Sequence, residues 1–170
     1  IHVGDTITGT YTYDSTLLDT NPSDIVGYYE NTTSPAGIRL ECGDFVFRTD
    51  SSNVRFTIEV NNGTSGVGYQ SDSYGIGSYN NLPLFNGSLL NVITWNIGYS
   101  SRDIFSSDAL PLIAPYLGSM VSSNLLRIDG LRDSNFRIEA NVISAKLIPE
   151  PAMIALFGFG AALVRKKSSQ

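Results

Sequence analysis

Histidine and cysteine each occur once in the 170 residues, as His2 and Cys42. So small a supply cannot build a zinc cluster, a Ser-His-Asp or Cys-His catalytic group inside a folded site, or an intramolecular disulfide framework. Charge is scarce as well: Asp, Glu, Lys and Arg make up 16% of the chain, against about a quarter in an ordinary globular domain. The net charge is −5, and the cations Arg165, Lys166 and Lys167 sit together at the C-terminal end beside one acid, Glu150, so the rest is more acidic still. Arg39, Arg48, Arg55 and Arg137 are scattered singly. An acidic body without a basic patch repels phosphate backbones, which excludes nucleic acid as a partner. A secretory leader is missing at the start, where Ile1-His2-Val3-Gly4-Asp5 has neither a basic nor an apolar region, and the chain is read as beginning after signal removal.

Ser, Thr, Asn, Gly and Tyr fill the polar positions, and period-two alternation predominates. Residues 3–14 place Ile7, Gly9, Tyr11 and Tyr13 on one side and Thr6, Thr8, Thr10 and Thr12 on the other, a strand with one wet face. Residues 17–24 read as a loop and 25–30 as a short strand. Residues 37–42 and 44–49 form a hairpin about Gly43. Residues 53–62 alternate most clearly, with Val54, Phe56, Ile58 and Val60 against Arg55, Thr57 and Glu59. Residues 63–82, rich in Gly, Ser, Asn and Tyr, are expected to be a long loop with at most short strands. Residues 88–98 are apolar on both faces, as in a central strand. Asp108-Ala109-Leu110-Pro111 suggests a loop or one helical turn. Residues 124–129 and 134–148 complete the set, the last with an expected β-bulge near Val142-Ile143. This pattern predicts an all-β fold: a two-layered antiparallel β-sandwich over residues 1–148, with a jelly roll as one variant. Cys42 is expected to pack as a small apolar side chain.

Past Ile148 the composition breaks. Pro149, Glu150 and Pro151 precede thirteen uncharged residues, 152–164, and then Arg165, Lys166 and Lys167. As a helix those thirteen residues would span about 20 Å, short of the roughly 30 Å hydrocarbon core of a bilayer, which suits a temporary sorting signal better than a permanent anchor. The tripartite pattern of residues 149–170 resembles the PEP-CTERM sorting signal of Gram-negative bacteria. In the body, Gly9-Thr10-Tyr11-Thr12-Tyr13-Asp14, Asp72-Ser73-Tyr74 and Ser107-Asp108-Ala109-Leu110-Pro111 are similar to segments of a recurrent domain of PEP-CTERM proteins. The resemblance implies export to the cell surface or beyond with transient anchoring in the inner membrane by a short C-terminal hydrophobic helix. It also implies processing by an exosortase-type membrane protease, and association with exopolysaccharide in a biofilm matrix, without catalytic residues or a required cofactor.

Three uses are open to the body. One is non-covalent matrix association or self-assembly, with strand edges in residues 1–12 and 141–148 adding strands from a neighbouring copy, unless these first and last strands pair with each other. Another is a carbohydrate-binding module in which Tyr28, Tyr29, Tyr69, Tyr74, Tyr79 and Tyr99 stack on sugar rings while Asn80, Asn81 and Asp72 hold hydroxyls, because a tyrosine ring offers a flat apolar face and a polar tip. The third is a glycosidase-like hydrolase, which needs two carboxylates about 5 to 9.5 Å apart in a cleft. Its candidates Glu30, Glu41, Glu59 and Glu139 all fall at outward strand positions. Asp14, Asp72 and Asp108, at predicted strand ends or loops, are candidate Ca²⁺ ligands, with turn and capping hydrogen bonds as their alternative employment.

Overall fold

The computed structural model describes residues 1–21, 23, 25–63, 71–101, 103–131 and 136–146. The segment 147–170, with Pro149, Glu150, Pro151, Arg165, Lys166, Lys167 and the expected C-terminal helix, lies outside the described residues, as does Tyr69.

The described residues form nine strands: β1 (Thr8–Thr12), β2 (Val26–Asn31), β3 (Gly37–Cys42), β4 (Phe45–Arg48), β5 (Phe56–Asn61), β6 (Ser73–Ser78), β7 (Leu90–Tyr99), β8 (Val121–Gly130) and β9 (Arg137–Ala140). They make two antiparallel sheets, one ordered β1-β3-β4 and the other β2-β5-β6-β7-β8-β9. The β5 to β9 run is a plain meander, not the paired Greek keys of a jelly roll. β3 and β4 close through Gly43 and Asp44, and Gly43 has a φ of +56°, the left-handed conformation that a two-residue hairpin loop demands.

Alternation decides which side chains enter the core. Ile38, Leu40, Cys42 and Phe47 from the smaller sheet meet Phe56, Ile58, Val60, Tyr74, Ile76, Ile93, Trp95, Ile97, Leu126 and Ile128 from the larger one in a single buried cluster. Tyr11 of β1 reaches across, its ring 6.1 Å from Trp95 and 6.4 Å from Phe56. Thr49, just past β4, ties the sheets at one end: its Oγ1 accepts from the Ile38 amide at 2.9 Å and lies 2.7 Å from the Ser78 hydroxyl. Cys42 is a buried free thiol.

Three expectations are corrected. Residues 73–78, read as part of a long loop with at most short strands, are the six-residue strand β6 in the middle of the large sheet, because Tyr74 and Ile76 alternate with Ser73, Gly75 and Gly77. No bulge occurs at Val142-Ile143, which lie past the end of β9; the register shifts fall between Leu90 and Val92 and between Gly98 and Tyr99. The first inserts Asn91 and so turns Leu90 inward with Ile93, whereas strict alternation groups Leu90 with Val92 and Thr94. Nor do the first and last strands pair: β1 is an edge of the small sheet and β9 an edge of the large one.

Candidate functional site

The outer face of the large sheet is built from the residues that alternate with the core. Its register sets Tyr28, Glu59, Gly75 and Asn96 in one row across β2, β5, β6 and β7, and Glu30, Thr57, Gly77 and Thr94 in the next. The middle strand therefore contributes two glycines side by side with larger neighbours, and a floor without side chains makes a trough. Its volume is about 260 Å³, with Tyr28, Glu59, Tyr79, Thr94, Asn96 and Ser123 on its walls. The glycines are necessary for that shape. A Cβ at Gly75 would lie 2.9 Å from the Asn96 side-chain oxygen, and one at Gly77 would lie 3.1 Å from both the Thr57 hydroxyl and the Tyr79 ring.

Tyr79 follows β6 and keeps 42% of its surface exposed. The Arg55 guanidinium sits 5.0 Å from its ring centroid, an arrangement that fixes the ring plane. Arg55 in turn holds Glu30 at 3.1 Å. Tyr28 is half-buried, and that burial, followed by the nearby Glu30 charge, raises its phenol above the ordinary value, so it stays a neutral donor and acceptor. Two tyrosine rings, one carboxylate, one amide and several hydroxyls over a bare backbone floor suit a flat, polyhydroxylated ligand.

Glu30, Glu41 and Glu139 each hold an arginine (Arg55, Arg39 and Arg127), and Glu59 is the only acid among the described residues lining the trough.

Of the tyrosines singled out from sequence, Tyr79 is at the site and Tyr28 lines it. Tyr74 and Tyr99 are corrections: they are 2% and 0% exposed, point into the core, and offer no face to a sugar. Tyr74 packs edge-on to Trp95, and its hydroxyl donates to that of Tyr11 at 3.3 Å. Burial holds the Tyr74 phenol well above its ordinary value, and burial together with the Asp72 charge pushes Tyr99 up to about 12. Tyr29 is buried too, donating to the Asp108 carbonyl at 3.0 Å, and Asn81 is engaged with Ser78.

The three aspartates do not assemble into a metal-holding group; among the described residues no three His, Cys, Asp or Glu side chains do. Asp14 Oδ1 accepts from the Thr16 amide at 2.8 Å and its hydroxyl at 2.7 Å, closing a turn. Asp72 is fully buried and accepts three amides, Gly63 at 2.9 Å on one oxygen, Ile104 at 2.9 Å and Phe105 at 2.8 Å on the other. Its carboxylate clamps two loops together at one end of the sheet. Asp108 enters the network through its backbone carbonyl.

No known protein-family profile matches the chain, and no curated protein and no solved structure is a match to it. The chemistry of the site rests on its own residues. Sequence reasoning missed Gly75, Gly77, Thr94 and Asn96 as site residues. The signal was present in Ser73-Tyr74-Gly75-Ile76-Gly77, whose small and large residues alternate strictly; the high glycine content masked it as a loop.

Proposed function

We propose that this chain is an exported, non-enzymatic cell-surface or extracellular-matrix protein of a Gram-negative bacterium whose β-sandwich body associates with neutral exopolysaccharide through the Tyr28–Tyr79 trough. The observation that carries the reading is the glycine-floored trough with an arginine-braced, exposed tyrosine at its edge. Tyrosine stacking supplies an apolar platform, and Glu59, Thr94 and Asn96 supply partners for hydroxyls. Glu59 in the wall disfavours polyuronic chains by like-charge repulsion, so a neutral hexose polymer fits best. Support for export and for exosortase processing comes from the Pro149-Glu150-Pro151 motif, the uncharged residues 152–164 and the basic Arg165, Lys166 and Lys167, through their resemblance to PEP-CTERM signals.

Affinity electrophoresis of the full chain through gels containing a neutral glucan, with a polyuronate gel as control, tests the proposal. Retardation by the neutral polymer, weakened several-fold in Tyr79→Ala, is the expected result; equal mobility in every gel removes the reading.

A second reading, self-assembly through strand edges, is favoured by the position of β1 and β9 as edge strands among the described residues and by the absence of charge in β1. Beside β9, Phe45, Phe47, Leu84, Phe136 and Ile138 line an open groove of about 440 Å³ at the seam between the sheets. Mass in solution that rises with concentration supports assembly, and a strictly monomeric chain rules it out.

A further inference from the structure

The loop joining β7 to β8 departs from the rest of the surface. Residues 109–126 form an eighteen-residue stretch without a charge. Within it Leu112 is 67% and Ile113 76% exposed, and Tyr116 and Met120 also stand out in solvent. A single exposed leucine is ordinary, but four large apolar side chains in nine residues form a patch that marks a contact surface. The backbone beneath them is tied down. The Pro111 carbonyl accepts the Tyr13 hydroxyl, the Asp108 carbonyl accepts the Tyr29 hydroxyl, and the Met120 carbonyl accepts the Ser100 amide at 2.7 Å and its hydroxyl at 3.0 Å. Pro115 is buried between the two exposed pairs. The apolar side chains are thus held outward by a fixed frame.

The C-terminal part of the chain leaves the body at this same end. β9 runs antiparallel to β8, with Arg137 opposite Asp129 and Ala140 opposite Leu126, so it heads toward the start of β8 at Val121. Beyond β9, Val142 is held beside Asn124, whose Nδ2 donates to the Val142 carbonyl at 2.6 Å while its Oδ1 accepts from the Trp95 indole at 2.9 Å. Residues 147–170 follow within a few positions and carry the uncharged stretch 152–164. The apolar loop and the root of the apolar tail therefore share one end of the sheet.

We infer that loop 111–120 is a membrane-contact surface, seating Leu112, Ile113, Tyr116 and Met120 in the interfacial region of a bilayer beside the point where the tail enters it. The inference rests on the proposed membrane contact of the C-terminal segment. It explains why apolar side chains are rigidly displayed at the end of the body that the tail would draw against the lipid. Tyr116 has the amphipathic ring favoured at such an interface. The partner is the uncharged apolar zone of the bilayer, because residues 109–126 carry no charge of their own and the charged side chains of the described residues in the rest of the loop, Asp103 and Asp108, are acidic and offer nothing to an anionic headgroup.

Flotation of the full chain with phosphatidylcholine vesicles tests this, alongside the double variant Leu112→Ser/Ile113→Ser and the tail variant Leu156→Asp/Leu163→Asp. A fluorophore on Ile113→Cys, in a chain whose own Cys42 is buried, reports depth through quenching by nitroxide lipids. The loop variant, with its melting midpoint unchanged, is expected to bind about tenfold more weakly, the order anticipated for withdrawing two partly inserted aliphatic side chains. The probe at position 113 is expected to be quenched. If wild type and loop variant float equally and the probe is unquenched, while the tail variant fails to float, the tail inserts alone and this inference falls although the membrane reading stands. If the full chain does not float at all, both fall.

Discussion

The two faces of the large sheet are made by the same strands and serve opposite ends. On the inner face Phe56, Ile58 and Val60 of β5, Tyr74 and Ile76 of β6, and Ile93, Trp95 and Ile97 of β7 are all buried. On the outer face the same strands show Glu59, Gly75 and Asn96, and where the inner face is thickest with side chains the outer one is bare backbone. A sheet stabilised by one face alone leaves the other free to be shaped by function. Substitutions inside should therefore cost stability and leave ligand binding intact wherever the fold survives, while substitutions outside should do the reverse.

The most severe loss should come from Asp72→Ala. Asp72 is in phase with the inner face of β6, and its removal leaves the amides of Gly63, Ile104 and Phe105 without their acceptor. A cost of about 3 to 5 kcal/mol is expected for one buried and two part-buried donors that lose a charged acceptor, read from chemical denaturation. Ile58→Ala, at a position with 0% exposure, should follow at roughly 2 to 5 kcal/mol by lost transfer free energy and residual cavity. A value near zero for either would mean that the inner face does not carry the fold.

High pH should separate the faces next. Burial raises the phenols of Tyr11, Tyr13, Tyr74 and Tyr99 above the ordinary value of 10, to about 12 for Tyr99. In the unfolded chain these groups ionise at their ordinary value, so between 10 and 12 the native state holds more protons than the unfolded one. Stability is then intact below about pH 10 and falls as the pH rises from there through the folded values. Absorbance titration of tyrosinate alongside thermal melts checks this; a stability that stays level through that window would contradict it.

The smallest effect on stability and the largest on binding should belong to Gly75→Val. Its Cβ meets only the movable end of the Asn96 side chain, with backbone no nearer than 4.0 Å. A melting midpoint close to wild type is expected, with glucan retardation reduced at least tenfold because the new side chain stands on the trough floor.

Most of the inner face was legible in the sequence and little of the outer one. Alternation in residues 53–62 and 88–98 and the Cys42-Gly43-Asp44 turn located β5, β7 and the β3-β4 hairpin because burial of one face imposes period two directly. β6 was hidden, since its outward positions carry glycine, a residue whose local preference is for turns, and only pairing with β5 and β7 on both sides holds it extended. For the same reason Tyr74 and Tyr99 were grouped with Tyr79 as sugar platforms. A tyrosine reads alike whether it faces core or solvent until the phase of its strand is known. Leu90 turns inward against the strict alternation of its strand because a bulge resets phase through the partner strand, which one strand's own alternation does not record.

The most direct test of the central claim, that the outer face binds and the inner face folds, is residue-by-residue mapping of amide shifts by nuclear magnetic resonance as a neutral gluco-oligosaccharide is titrated into the full chain. The account requires saturable shifts concentrated at Gly75, Gly77, Tyr79, Thr94 and Asn96, with the inner neighbours Ile58 and Trp95 little changed. Shifts clustered instead at the seam beside Phe45 and Ile138, or no saturable shifts at millimolar ligand, would contradict it.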